Sequence, residues 1–207
     1  MKTPILLTAA AAFLSSQAEA RISFGSCPEI QMMANFDKYR YVGKWYQIAR
    51  DYTNFFTPFT MCVTMEFSQV KDDGSFDQNY RGLYWPVLWY GNNDGVYYQC
   101  GEDPTLSWTC QATMGGGTIR GDIHIFDTDY DNYKILYDCT DILGGTMKYE
   151  SFSLFARDPT MSEEAYAIAK QNIKEKVPQY DIDWNWWNLE WVWQNGICDY
   201  ESGWKFQ

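Results

Sequence analysis

His124 is the only histidine in the 207-residue chain, so any histidine-centred triad or metal site would have to be assembled around it. Asp122 and Asp127 are near in sequence but share its strand, with Asp122 on the same side, which reads as a solvent-facing strand histidine. No HExxH, GxSxG or Gly-rich phosphate loop occurs, and no carboxylate pair is singled out by spacing. The cysteines are Cys27, Cys62, Cys100, Cys110, Cys139 and Cys198. Their even number, with no CxxC among them, points to disulfides and away from metal or redox chemistry. Spacing leaves every pairing open and singles out only Cys100 with Cys110 as a local hairpin bridge. The expectation is a chain without catalytic residues, metal or cofactor.

The first 20 residues, MKTPILLTAAAAFLSSQAEA, carry a basic start at Lys2, an apolar run from Ile5 to Leu14 and the small-x-small triplet Ala18-Glu19-Ala20. This is the pattern of a secretory signal peptide over residues 1–20, cleaved after Ala20. It leaves 21–207 as one exported domain, and its apolar run is too short for a membrane span. A net charge of −11 without a basic block disfavours nucleic acid and anionic membranes as partners. Aromatic residues make up 18% of the chain, enough for a large core or a lined cavity. There is no Asn-x-Ser/Thr sequon, and oligomeric state is not encoded in any pattern here.

Residues that bind or react must be held by elements, and the elements predicted are strands. Lys44 to Asp51 is rich in Tyr, Trp and Ile; in TMCVTMEFSQ, Met61, Val63, Met65 and Phe67 alternate with Cys62, Thr64, Glu66 and Ser68. A turn at Lys71-Asp72-Asp73-Gly74 leads to SFDQNYRGLYW, and one at Asn92-Asn93-Asp94-Gly95 leads to VYYQC. LSWTCQATM, IRGDIHIF, YKILYDC and YESFSLFAR complete eight short strands, an antiparallel meander that closes as a barrel or stacks as a sandwich. A capping box at Thr160-Met161-Ser162-Glu163 then opens one helix, with Tyr166, Ala169, Ile173 and Val177 along a stripe and Pro178 as its stop. A sandwich needs no such helix. The expected fold is all-β with one flanking α-helix, an eight-stranded antiparallel up-and-down barrel.

Three motifs, in order, resemble those of the lipocalins, most closely the apolipoprotein D and bacterial lipocalin branch. Asn35-Phe36-Asp37 through Tyr41-Val42-Gly43-Lys44-Trp45-Tyr46 is similar to the family's G-x-W segment, Thr128-Asp129-Tyr130 to its T-D-Y turn, and Arg157 to the arginine ending its last barrel strand. The resemblance spans roughly residues 25–200. It implies that Trp45 plugs the closed end of the barrel with Arg157 lying across it, a cation–π contact worth about 0.5–2 kcal/mol. It also implies the pairs Cys27 with Cys139 and Cys62 with Cys198, leaving Cys100 with Cys110.

Alternation places Met61, Val63, Met65 and Phe67 inside, with Gln78 and Tyr80 from the third strand and Ile123 and Ile125 from the sixth. The seventh and eighth strands are apolar on both faces, because one side meets the helix; Tyr137 and Phe155 are taken as inward. Such a lining, apolar with a few hydroxyls and no fixed charge, suits a fatty acid, sterol, retinoid, carotenoid or bilin. The C-terminal segment of about 181–207 contains DWNWWNLEWVWQNG, with five tryptophans. It reads as a tail along the outer barrel that delivers Cys198 to Cys62; an exposed patch for a partner or membrane interface, or a lid, are its alternatives. The expected function is secreted transport of a small hydrophobic ligand. The alternatives are a lipocalin-type enzyme acting on a lipophile and an interaction module that works through the tail.

Overall fold

The computed structural model describes residues 22–30, 33, 35–51, 59–100, 109–114, 119–180, 182 and 189–201, except the side chains of 98–100, 109–114 and 119–124. The leader expected over residues 1–20, and Trp184, Trp186 and Trp187 of the tail, lie outside the described residues.

Eight strands follow one another in meander order: β2 (Gly43–Asp51), β3 (Thr60–Phe67), β4 (Phe76–Tyr84), β5 (Trp89–Cys100), β6 (Thr109–Met114), β7 (Ile119–Thr128), β8 (Tyr133–Ile142) and β9 (Met147–Ala156). The last pairs back onto the first, Tyr46 opposite Ala156 and Arg50 opposite Ser153, which closes the barrel. Closure gives each of these strands a neighbour on both sides. A short β1 (Ile22–Phe24) lies against β9, and β10 (Leu189–Trp191) lies against β2.

Two differences from the expected elements have local causes. Asn92 to Gly95 lie inside β5, each paired with β4, and the chain reverses at Trp85–Leu88 instead. Pro86 and the positive φ of Leu88 supply that turn, whereas the Asn-Asn-Asp-Gly run is accommodated as polar strand; Asn79 donates to Asp94 at 2.6 Å across the ladder. In the N-terminal arm, α1 (Lys38–Tyr41) forms because the Asp37 carboxylate accepts the N–H groups of Tyr39 and Arg40.

The long helix α2 (Glu163–Lys176) is capped by Ser162, whose hydroxyl accepts the Ala165 N–H at 3.1 Å; Thr160 is not the cap. Its buried residues are Ala165, Ala169 and Ile173, of which the last two pack on the outer barrel wall with Phe126, Tyr133, Ile135, Tyr137, Phe152 and Leu154. A second cluster fills the barrel itself, including Tyr41, Trp45, Met65, Phe67, Phe76, Tyr97, Ile125, Leu136 and Phe155. The wall between the two clusters therefore runs through β8 and β9, whose alternate residues serve opposite sides.

Candidate functional site: the barrel interior

The closed end is organised by one arginine. The Arg157 guanidinium sits 3.7 Å from the Trp45 ring centroid and donates to the carbonyls of Tyr130, Val42 and Arg40 at 2.9, 3.0 and 2.8 Å. Gly43 has φ +94°, and a Cβ there would lie 3.3 Å from the guanidinium, so the G-x-W glycine makes room for the arginine. Trp45 Nε1 donates to Tyr41 O at 2.9 Å. In the T-D-Y turn, Thr128 Oγ1 accepts the Tyr130 N–H and donates to Tyr133 O. Burial works against the Asp129 carboxylate, but the N–H groups of Tyr133, Asn132 and Asp131 and the Asn132 amide hold its pKa below the usual value. Tyr130 OH accepts the Asp37 N–H at 2.7 Å, tying α1 to the turn. The three motifs meet at this end.

Above the plug lies a floor of rings. Phe76 stacks on Tyr97 with centroids 5.5 Å apart, and Phe67 meets Tyr41 at 5.0 Å and Tyr97 at 5.2 Å. Into this floor projects a residue absent from the expected lining, Lys134 of β8. Its Nζ lies 4.4 Å from the Phe67 and Phe155 ring centroids, 4.9 Å from Tyr41 and 5.2 Å from Trp45, and 3.4 Å from Met65 Sδ. Lys134 has no solvent-accessible surface. Burial, reinforced by the Arg157 charge, pushes its pKa well below the ordinary lysine value.

Inward-facing positions further from the plug are small or polar. Leu136 lies opposite Ser153 and Asp138 opposite Ser151, so all four share the face of Lys134 and Phe155. Gln47 donates to Ser153 Oγ at 3.2 Å, and buried Arg50 donates to Thr60 O at 2.9 Å. Gln47 Oε1 and Gln78 Nε2 are buried with no hydrogen-bond partner among the described residues. Desolvation raises the Asp138 pKa to about 7, yet this residue keeps part of its surface accessible. The interior thus carries fixed ionisable groups, Lys134, Asp138 and Arg50, where sequence reasoning expected none.

Tyr137 is a correction. It belongs to the outer cluster, its hydroxyl donating to Glu150 Oε1 at 2.8 Å and its ring 4.8 Å from Phe152. Both rows of β8 look inward-capable, but the apolar stripe of α2 needs an apolar wall, and Tyr133, Ile135 and Tyr137 provide it. The row left for the interior is Lys134, Leu136 and Asp138. That signal was available in the pairing of helix stripe and strand row.

Met61 is the second correction. Register slips by one residue between Met61 and Thr64, at Cys62 with φ +54°, so Met61 stands opposite Leu83 on the face of Arg81. Met65, opposite Trp45 and Tyr80, keeps the inward row, as do Phe67 and Val63. Ile125, Tyr80 and Phe155 pack in the inner cluster. The side chains of Ile123 and His124 lie outside the described residues.

Two disulfides, Cys27 to Cys139 and Cys62 to Cys198, tie the arm and the tail to the barrel. Cys110 pairs with Gln99 and Cys100 with Thr109 on adjacent strands; the side chains of Cys100 and Cys110 lie outside the described residues. The tail enters the seam where β2 and β3 part beyond Tyr46 and Thr64. Val192 N donates to Ile48 O, Cys62 N to Trp193 O, and the Gln194 amide to both Gln47 O and Val63 O. Among the described residues no cluster of metal-ligating side chains occurs, and no helix is long and apolar enough to cross a membrane.

A barrel of this topology with one end plugged by Trp and Arg defines a class, the calyx-shaped binding proteins. The profile of the Lipocalin / cytosolic fatty-acid binding protein family matches residues 92–182. The chain is 31% identical to retinol-binding protein 4-B of Oncorhynchus mykiss over 70% of this chain and 85% of that one. It is 29% identical to apolipoprotein D of Cavia porcellus over 67% of this chain and 71% of that one. H1 crustacyanin from the lobster Homarus americanus shares the fold with a TM-score of 0.70 at 21% identity, over 89% of this chain and 96% of that one. The chain belongs to the lipocalin family.

Proposed function

We propose that the protein is a secreted carrier which holds a small hydrophobic molecule in the barrel interior, and that it is not an enzyme. The barrel itself carries this reading: it is plugged at one end by Trp45 and Arg157, and beyond the aromatic floor its inward row changes from rings to Leu136, Asp138, Ser151 and Ser153, the smaller side chains that a ligand volume needs. Apolar burial in such a volume stabilises a bound lipophile by about 25 cal/mol per Å². The name of the retinol-binding relative favours an elongated, conjugated ligand. Export is supported by the leader pattern and by the two disulfides, which persist in oxidising compartments. Titration with retinol, a fatty acid and a bilin, followed by tryptophan quenching, tests the reading, together with mass spectrometry of organic extracts of the native protein. Failure of every lipophile to bind or to co-purify would sink it.

A second reading, partner contact through the tail, rests on Trp191 and Trp193, which are 59% and 60% exposed. Trp191 nevertheless packs on Tyr166 of α2 at 5.0 Å, and the backbone around both tryptophans fills the β2–β3 seam, which is a structural task.

A further inference from the structure

The carrier reading gives Lys134 no role, and the fold bears a cost for it. Its amine is ringed by the faces of Tyr41, Trp45, Phe67 and Phe155, and no carboxylate lies within ion-pair distance among the described residues. The Arg157 charge that acts on it is of the same sign. Asp138 shares its strand face but stands two inward positions away, beyond Leu136. The rings of the cage are at most 2% exposed, whereas Met65, whose thioether touches the amine, keeps 7%. The cage is therefore built of four rigid rings and one flexible thioether, the thioether belonging to the residue that keeps the most accessible surface among them.

A lysine desolvated in an apolar pocket beside another cation is an activated nucleophile, since burial and the like charge both favour the neutral amine with its free lone pair. We propose that Lys134 is a covalent anchor for a lipophilic aldehyde, a role that rests on the carrier reading and specifies its ligand class. Nζ adds to the carbonyl carbon, forming an N–C bond; the amine gives up both hydrogens and the carbonyl oxygen leaves as water. The product is a neutral imine, and no oxidant or reductant takes part. An ion pair between Lys134 and a lipid carboxylate is the competing use of the amine. It would place two charges in the ring cage at a desolvation cost of several kcal/mol per ion, which the attraction between them roughly cancels. An imine buries no charge, and the dry floor slows its hydrolysis.

All-trans-retinal tests the aldehyde and all-trans-retinol, the same skeleton without a carbonyl, serves as control. Each is added to the purified full chain, binding is read by tryptophan quenching, and borohydride reduction is followed by peptide mass spectrometry. The expected result is binding of both, with a reduced retinyl adduct on Lys134 and at least about a tenfold loss of trapped adduct in Lys134→Met. Binding of retinal and retinol without an adduct at Lys134, or adducts confined to exposed lysines such as Lys174 and unchanged in Lys134→Met, overturns the anchor and leaves the carrier. Failure of both to bind in a folded protein, together with clean organic extracts, overturns the carrier reading and the anchor with it. Lys134→Gln, which keeps a polar side chain but not the nucleophile, should bind retinol and trap nothing; an unchanged adduct yield there would also refute the assignment.

Discussion

Lys134 and Asp138 face the barrel interior from the same strand, one sealed from solvent among aromatic rings and the other partly accessible. Depth sorts them: the amine belongs to the aromatic floor and the carboxyl lies two inward positions further from the plug. Both pay for burial without an ionic partner among the described residues, and both give the fold a dependence on pH.

Lys134→Met should stabilise the unliganded protein at neutral pH by about 1–3 kcal/mol, because an apolar side chain of similar length replaces an unpaired buried polar group. The folded pKa of Lys134 lies below the unfolded 10.5, so between the two the unfolded chain binds a proton that the folded chain does not. Wild-type stability should therefore rise with pH across that window, and the Met variant should lack this contribution. Urea unfolding at pH 7 and pH 9.5 reads the difference; an equal gap between the variants at both values would contradict it.

Asp138→Asn carries the opposite pH signature. Its folded pKa of about 7 exceeds the ordinary 3.8, so the folded state holds a proton that the unfolded state has released, and stability falls as pH rises between them. The Asn variant should be more stable than wild type above pH 7 by at most about 4 kcal/mol, less to the extent that residual solvent contact screens the carboxylate. The advantage should vanish below about pH 4. Thermal melts across this range provide the measurement.

Arg157→Ala should cost about 3–4 kcal/mol, since it strips donors from the carbonyls of Tyr130, Val42 and Arg40 and uncovers Trp45. Arg157→Lys should recover little, because one ammonium cannot span carbonyls that a planar fork reaches together. Full stability in the Lys variant would show that charge alone suffices.

Ser151→Phe should weaken lipophile binding while secondary structure survives. Ser151 faces inward opposite Asp138, and a ring there takes up lumen volume at a packing cost of about 1–3 kcal/mol. Met65 and Phe67 are poorer probes than their sequence suggests, because both belong to the floor and a charge on either would threaten the fold itself. Unchanged affinity in Ser151→Phe would place the ligand elsewhere.

The strands, their order, the closing helix and the plug of Trp45, Thr128, Asp129, Tyr130 and Arg157 could be read from alternation, turn residues and the resemblance they build. The lining was only half legible, for two physical reasons. Alternation assumes an unbroken register, and the slip at Cys62 turned Met61 to the other face. Hydrophobicity ranks rows within a strand but does not say which side is the more apolar environment; in β8 the helix side is, so Tyr137 went out and Lys134 came in. A lysine inside an aromatic floor contradicts ordinary partition preferences, and no pattern rule would place it there.

The tail residues Val192, Trp193 and Gln194 supply the bonds that β2 and β3 do not give each other, and Cys198 locks them there through Cys62. Translation delivers those residues after every barrel strand has been made. The staves of the cask can assemble as they emerge, but the gap beside its first stave stays open until the tail arrives, so a ribosome-bound chain halted short of Gln194 would hold a leaking vessel.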